Sequence, residues 1–219
     1  DVDGVYSKNP AKYKDAKFIT QSISEKEIDV FFQPIYSAKT KEMQHVEALA
    51  RLKDGDRIIP AGAFIDLIYE LGMIIELDTQ VLERVIAYKD RLKNITNKVF
   101  INVSPESIKS EKFLAHLLSS LDTLKQSGLE TVIELTEQAF LDNIKTIKCL
   151  HEAFHINFAV DDFGTGYSSL KTVLDLSETG TISYLKIDGS LIRDISDSEN
   201  RSKIVQTIAL MSLQMALKN

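Results

Sequence analysis

Short apolar segments alternate with amphipathic segments along most of this 219-residue chain, and this alternation restricts its fold more than any other feature. The apolar segments have the length of strands and become polar at their carboxyl ends, whereas the segments between them carry the apolar spacing of helices. Strands that alternate with helices of this length favour an α/β fold with a parallel sheet. The predicted strands are 98–104, 131–136, 156–162 and 184–188, and the predicted helices are 106–127, 143–154, 168–176 and 198–217.

The part of the chain before these elements is less regular. Residues 1–28 are polar, and we assign them to an N-terminal linker or tail, which leaves 29–219 as the domain. Two strand-like segments then flank a turn-like segment, and this pattern is consistent with a hairpin. The two strands are 30–36 and 43–52, and the helices that follow are 64–71 and 77–92.

Composition narrows the class of protein. A hydrophobic fraction of 44% is enough for the core of one domain. The net charge of -6 argues against binding to a nucleic acid duplex, because such binding depends on clustered lysine and arginine. The single Cys149 cannot form an internal disulfide, and no apolar run approaches the roughly 18 residues of a membrane span. We therefore expect a cytoplasmic location, which leaves room for a membrane anchor in a longer parent protein.

Oxygen-bearing side chains stand at the ends of the apolar segments. They are Glu47, Asn102, Glu134 and the pair Asp161 and Asp162. A fold that gathers the strand ends on one face brings these hard oxygen donors together, as parallel α/β folds do at their functional sites. Because histidine and cysteine do not cluster, the donor set favours Mg²⁺ or Mn²⁺ over zinc. The sequence therefore predicts a metal site for phosphate chemistry.

Several of these residues also have structural interpretations. The strand period of two places Glu47, Leu49 and Arg51 on one face, so an internal Glu47–Arg51 ion pair is an alternative to a binding site. Glu134 lies between branched aliphatic residues, where a carboxylate needs a partner such as a metal ion. Capping of the helix predicted near Ser168 explains one of the two adjacent aspartates but not both.

Residues close to these donors have open roles. Ser104 with Pro105 has the pattern of a helix N-cap followed by a first-turn proline. Glu137 either braces a loop or caps the next helix. Lys186 lies on the same face as Asp188, where it binds phosphate, orients a water molecule or forms a salt bridge.

Six motifs in chain order resemble those of the EAL-domain phosphodiesterases of bacterial cyclic di-GMP signalling. They are Gln33-Pro34-Ile35, Glu47-Ala48-Leu49-x-Arg51, Asn102-Val103-Ser104, Glu134-Leu135-Thr136-Glu137, Asp161-Asp162-Phe163-Gly164-Thr165-Gly166 and Lys186-Ile187-Asp188. The resemblance implies a TIM-like (β/α)₈ barrel whose first strand is antiparallel. It also implies hydrolysis of cyclic di-GMP to linear 5′-pGpG.

The resemblance further implies individual roles. Glu47, Asn102, Glu134 and Asp161 are then ligands of one cation, and Asp162 helps to hold a second. Lys186 contacts the attacking water, and Glu137 braces the loop that carries Asp162. The implied substrate contacts are Gln33, Leu49, Arg51 and Asp188. The implied cofactors are two Mg²⁺ or Mn²⁺ ions, and Ca²⁺ is expected to inhibit because its looser geometry organises water poorly.

The chain departs from the family pattern in two places. Leu52 stands where the family often has a tryptophan, and the chain stops at Asn219, before the last two strands of the family's barrel. We therefore expect a piece of a longer domain, preceded in its parent by a sensory or GGDEF-like domain, and we expect a free-standing protein ending here to be inactive. A homodimer is also expected.

Two other functions remain open alongside the hydrolase. One is a catalytically inactive EAL-like module that binds cyclic di-GMP or a protein partner. The other is a structural dimerisation domain. Turnover with Mg²⁺ or Mn²⁺ that Glu47→Ala abolishes distinguishes the enzyme from both.

Overall fold

The computed structural model describes residues 10–164, 170–193, 195 and 198–215. The chain divides into two compact units, Asp1–Glu130 and Thr131–Asn219. Among the described residues, no helix is long and apolar enough to span a membrane.

The first unit contains four strands, and the predicted hairpin is one of its main features. Strand β1 pairs antiparallel with β2, so that Gln33 lies directly opposite Glu47. Strand β4 pairs parallel with β2, with Phe100 opposite Glu47. The elements in chain order are α1 (Pro10–Ser24), β1 (Ile28–Tyr36), β2 (Met43–Asp54), β3 (Arg57–Pro60), a 3-10 turn (Ala61–Ala63), α2 (Ile65–Glu70), α3 (Ile74–Leu92), β4 (Lys98–Asn102), α4 (Pro105–Lys109) and α5 (Glu111–Gln126).

The apolar period of β2 explains which of its faces is buried. Val46, Ala48 and Leu52 are buried, whereas Glu47 and Arg51 on the alternate face are partly exposed. Since successive side chains of a strand point to opposite faces, this is the pattern that the sequence predicts. Helix α3 contacts both β2 and α5. The buried apolar side chains of these two helices include Leu77, Val81, Leu82, Val85, Phe113, Leu117 and Leu124.

The N-terminal segment differs from the sequence-based assignment. Residues 1–28 were expected to form a linker or tail, but 10–24 form the helix α1, in which Ala16, Ile19 and Ile23 are buried. These residues recur at helical spacing. The overall polarity of the segment favoured a linker or tail because polar residues outnumber them. Residues 1–9 of the expected tail lie outside the described residues.

The second unit consists of alternating strands and helices. Its three strands β5, β6 and β7 are parallel neighbours, with Glu134 opposite Ala159 and Val160 opposite Leu185. Their carboxyl ends therefore lie at one edge, as predicted. The elements are β5 (Glu130–Thr136), α6 (Glu137–Asp142), α7 (Ile144–Phe154), β6 (Asn157–Phe163), α8 (Leu170–Glu178), β7 (Ile182–Ile187), α9 (Gly189–Ile192) and α10 (Glu199–Gln214). Ser168, the predicted start of a helix, lies outside the described residues.

Candidate active site

In the first unit, the structure brings together Glu47 and Asn102, two of the predicted metal ligands. The Asn102 side-chain nitrogen Nδ2 donates a hydrogen bond of 2.9 Å to Glu47 Oε1. The parallel register explains this contact, because Glu47 lies opposite Phe100 and Asn102 is the next residue of β4 on the same face. Glu47 and Asn102 thus form one pair of oxygen-bearing side chains on two neighbouring strands.

The predicted substrate contacts Gln33, Leu49 and Arg51 lie on this same face of the β1–β2 hairpin. Directly opposite residues of an antiparallel pair share a face, and Gln33 lies opposite Glu47 while Phe31 lies opposite Leu49. The Arg51 guanidinium lies 5.4 Å from the centroid of the Phe31 ring and donates a hydrogen bond of 2.8 Å to the Ala50 carbonyl. These contacts orient a positive charge on the face that bears Glu47.

The residues after Asn102 form the predicted cap. The Ser104 hydroxyl accepts a hydrogen bond from the Ser107 N–H, and Pro105 is the first residue of α4. The Ser104 N–H itself donates a hydrogen bond of 2.8 Å to Oδ2 of Asp78 on α3. Burial raises the pKa of Asp78 to about 6, although the hydrogen bonds from Ser104 and Ser107 oppose the shift.

Asp78 was missed by the sequence analysis. It lies four residues after Ile74 and four before Leu82, both of which are buried on the packed face of α3. A carboxylate at that spacing is buried with its neighbours and requires donors. This spacing is the signal in the sequence that identifies it.

In the second unit, Lys186 joins two predicted metal ligands. Its Nζ lies 3.0 Å from Glu134 Oε2 and 3.1 Å from Asp161 Oδ2. The three residues come from the neighbouring parallel strands β5, β6 and β7. Glu134 is completely buried, so the ammonium offsets a charge that is expensive to desolvate. Of the open roles for Lys186, the salt bridge to neighbouring carboxylates is therefore present.

Asp162 and Asp188 lie close to this group. Asp162 has a φ of 54° and donates its N–H to Asp161 Oδ1 at 2.9 Å. Burial raises the pKa of Asp162, and the negative charges of Asp161 and Asp188 add to the shift. The hydroxyl and N–H of Ser190 lower the pKa of Asp188, which caps the N-terminus of α9.

Glu137 is placed to brace the loop after β6. Thr136 caps α6 by accepting a hydrogen bond from the Ala139 N–H, which leaves the Glu137 carboxylate for another partner. Glu137 is buried, and its Oε2 accepts a hydrogen bond of 3.2 Å from the Gly164 N–H. Gly166, also predicted to belong to this loop, lies outside the described residues.

The donor chemistry fits hard divalent cations. Carboxylate and amide oxygens are the ligands that Mg²⁺ and Mn²⁺ prefer. Within the described ranges, no three His, Cys, Asp or Glu side chains lie close enough together to hold a metal ion as a group. The donors occur instead as pairs, Glu47 with Asn102 and Glu134 with Asp161. The complete burial of Glu134 shows that the second pair requires an adjacent positive charge.

Comparison of sequences finds a family and several relatives. The profile of the family described as "EAL domain" matches residues 17–218. The chain is 33% identical over 199 residues to the cyclic di-GMP phosphodiesterase PdeA of Borreliella burgdorferi, which covers 88% of the chain and 29% of that protein. It is 31% identical over 215 residues to the cyclic di-GMP phosphodiesterase NbdA of Pseudomonas aeruginosa, which covers 91% of the chain and 26% of that protein. The chain thus spans less than a third of the length of either relative.

Solved structures share the fold. The EAL enzyme Bd1971 in a cGMP-bound form aligns over 99% of the chain and 60% of its own, with a TM-score of 0.78 and 24% identity. The phosphodiesterase PaMucR in complex with c-di-GMP aligns over 94% of the chain and 84% of its own, with a TM-score of 0.79 and 24% identity. Together with the antiparallel pairing of β1, these likenesses confirm the predicted fold class, the TIM-like α/β barrel with an antiparallel first strand.

Proposed function

The chain belongs to the EAL domain family, and we propose that it is the catalytic part of a metal-dependent phosphodiesterase that hydrolyses cyclic di-GMP to linear 5′-pGpG. Relatives at 33% and 31% identity bear the name cyclic di-GMP phosphodiesterase. The observation that carries the proposal is the contact of Lys186 Nζ with both Glu134 and Asp161, at the carboxyl ends of three parallel strands. The Lys186 ammonium, a hydrogen-bond donor, thus lies within hydrogen-bonding distance of the Glu134 and Asp161 carboxylates.

Each residue has a role in the proposed reaction. Glu47, Asn102, Glu134 and Asp161 hold one cation and Asp162 helps to hold a second; when bound, such ions activate water and neutralise charge on the scissile phosphate. Lys186 holds the attacking water by hydrogen bonding from Nζ. Glu137 fixes the loop after β6 through the Gly164 N–H.

Substrate contacts are proposed on the face of the β1–β2 hairpin. Arg51 offsets phosphate charge that a chain with a net charge of -6 otherwise repels. Gln33 and Leu49 contact the nucleotide from the same face, since they lie opposite Glu47 and Phe31 in the hairpin register. Asp188 adds a polar contact beside Asp162. We propose Mg²⁺ or Mn²⁺ as cofactors and inhibition by Ca²⁺.

A direct assay tests this proposal. The full-length protein that contains this chain is incubated with cyclic di-GMP and Mg²⁺ or Mn²⁺, and linear dinucleotide is detected by chromatography. We expect product from the wild type and none from Glu47→Gln or Lys186→Met. The matched control is Lys125→Met, which removes an exposed lysine of α5 and leaves turnover unchanged.

The proposal fails if the full-length protein, assayed with both metals, forms no linear product.

A second candidate function is binding of cyclic di-GMP without hydrolysis. It is favoured by the contacts of the Lys186 ammonium with the Glu134 and Asp161 carboxylates, because this positive charge offsets negative charge that a metal ion would otherwise neutralise. Calorimetry with cyclic di-GMP measures binding, and chromatography after addition of Mg²⁺ or Mn²⁺ distinguishes the two functions, because a receptor binds the nucleotide and forms no linear product even with the metal present.

The proposed partners follow from the family. We propose a homodimer, an N-terminal sensory or GGDEF-like domain in the parent protein, and a cytoplasmic location. Sedimentation of the chain with and without cyclic di-GMP measures the oligomeric state.

A further inference from the structure

Asp78 is a buried carboxylate that contacts the segment immediately following Asn102. It lies on α3, whose neighbouring residues Leu77 and Val81 are packed in the core. Its Oδ2 accepts the Ser104 N–H at 2.8 Å, and Ser104 is itself only 6% exposed. No sequence motif marked this residue, and no role in the proposed reaction uses it.

We propose that Asp78 is a positioning residue, which fixes Ser104 and thereby holds Asn102 against Glu47. The inference rests on the proposed function, because it concerns the same pair of oxygen-bearing groups. Asp78 touches neither substrate nor metal in this arrangement and acts only through the backbone between Asn102 and Ser104.

The geometry requires such an anchor because Asn102 is the last residue of β4 and its side chain is exposed. Its contact with Glu47 at 2.9 Å is therefore set by where the backbone leaves the strand. Asp78 supplies a rigid attachment point for the Ser104 N–H, since α3 is a helix of 19 residues whose inner face is packed. The carboxylate ties that helix to the second residue after Asn102.

A hydrogen-bonded group on the other side of Ser104 completes the anchor. The Ser104 hydroxyl donates to Ser107 Oγ at 2.8 Å and accepts from the Ser107 N–H at 3.2 Å. Ser107 is completely buried. Removing the Asp78 acceptor leaves the Ser104 N–H buried without a partner, and the segment moves to satisfy it. Asn102 moves with it, because two peptide units separate the residues.

The test compares three variants. Asp78→Ala removes the acceptor, and Asp78→Asn retains an acceptor oxygen of the same shape. Val85→Ala truncates a completely buried side chain on the same helix and serves as a control of matched destabilisation. The first readout is the nuclear magnetic resonance signal of the Asn102 side-chain amide, with Glu47→Ala as the reference for loss of the contact. The second readout is the Mn²⁺ concentration that gives half-maximal turnover.

We expect Asp78→Ala to move the Asn102 amide signal toward its position in Glu47→Ala. We also expect it to raise the half-saturating Mn²⁺ concentration about tenfold while kcat at saturating metal stays within about threefold of the wild type. Asp78→Asn retains the wild-type signal and stays within about threefold in metal dependence. Val85→Ala retains both wild-type values in the folded protein.

The inference is overturned if Asp78→Ala and Val85→Ala give the same Asn102 signal and the same metal dependence, since Asp78 then contributes stability alone. The resonance readout needs no turnover. A full-length protein without phosphodiesterase activity therefore contradicts the proposed function, whereas an unmoved Asn102 signal contradicts the role of Asp78.

Discussion

Two buried carboxylates of this chain are stabilised in different ways. Glu134 lies against the Lys186 ammonium at 3.0 Å, so its charge is offset by another charge. Asp78 has only neutral donors, from Ser104 and Ser107, and it lies near the negative charge of Glu106. Burial therefore raises the pKa of Asp78 to about 6 from its ordinary value of 3.8.

This difference predicts how stability depends on pH. The folded chain keeps the Asp78 proton up to about pH 6, whereas the unfolded chain releases it near 3.8. Because the folded state binds more protons between these values, the contribution of Asp78 to the free energy of unfolding falls as pH rises through this window, by up to about 3 kcal/mol. We expect Asp78→Asn to lose this decline, as measured by urea unfolding at several pH values. If the free energy of unfolding depends on pH in the same way for the variant and the wild type, titration of Asp78 does not affect stability.

Gly164 is a second residue whose environment predicts an outcome. Its φ is +104°, and an added Cβ lies 2.6 Å from Leu191 Cδ1. Gly55 also has a positive φ, of +58°, but nothing lies within 4 Å of an added Cβ. We expect Gly55→Ala to lower the free energy of unfolding by about 1 kcal/mol through backbone strain, and Gly164→Ala by at least about 1 kcal/mol more through the clash. Equal losses in thermal unfolding contradict the role of the Leu191 contact.

At the scale of elements, α1 is held against α3 by polar contacts as well as by packing. Gln80 Nε2 donates to the Ile23 carbonyl of α1 at 2.7 Å, and Arg84 Nη2 donates at 2.8 Å to the carbonyl of Lys26, two residues after the end of α1. Ile23 is 3% exposed. These contacts make α1 a part of the first unit rather than a tail.

The effect of Ile23→Ala tests that conclusion. If α1 packs as described, the substitution lowers the free energy of unfolding by about 2 to 4 kcal/mol, because it opens a cavity in the core. Ile95→Ala removes the same atoms at a residue that is 59% exposed and serves as the control, with a change within about 0.5 kcal/mol. Similar small changes for both variants indicate a tail.

The elements that the sequence predicts are those with a strong apolar period. The strands β4 to β7 and the longer helices between them follow that period and were predicted, whereas the short helix α6 was not. Strand β3 was missed because it ends at Pro60 and gains its stability by pairing with β2, which no local pattern reports. The predicted helix 106–127 is two helices, since Ser110 adopts an extended backbone and caps the second. These failures occur where tertiary contacts override local preference.

In the candidate site, too, the sequence identifies the residues but not all of the contacts between them. Glu47, Asn102, Glu134, Asp161 and Lys186 were identified because polar residues at strand ends interrupt apolar runs. Whether Lys186 pairs with Asp188 or with other carboxylates depends on strand order, which spacing within one strand does not give. The contact with Glu134 and Asp161 therefore required the structure.

At the scale of the whole molecule, net charge sets the long-range field. A chain with a net charge of -6 repels an anionic dinucleotide until salt screens the field. Without divalent cations, we expect the association rate of cyclic di-GMP to rise a few-fold between about 20 and about 200 mM salt, as measured by stopped flow. Uncharged guanosine serves as the control and shows no such rise. A rate that falls with salt instead indicates that the local charge of Arg51 governs the encounter.

The attachment of α1 to α3 has a mechanical consequence. Gln80, which donates to the Ile23 carbonyl of α1, lies two residues after Asp78 on α3, and Arg84, which donates to the Lys26 and Ile28 carbonyls, lies six residues after it. We therefore expect a displacement of α1 to move α3, the helix whose Asp78 holds the Ser104 N–H two residues after Asn102.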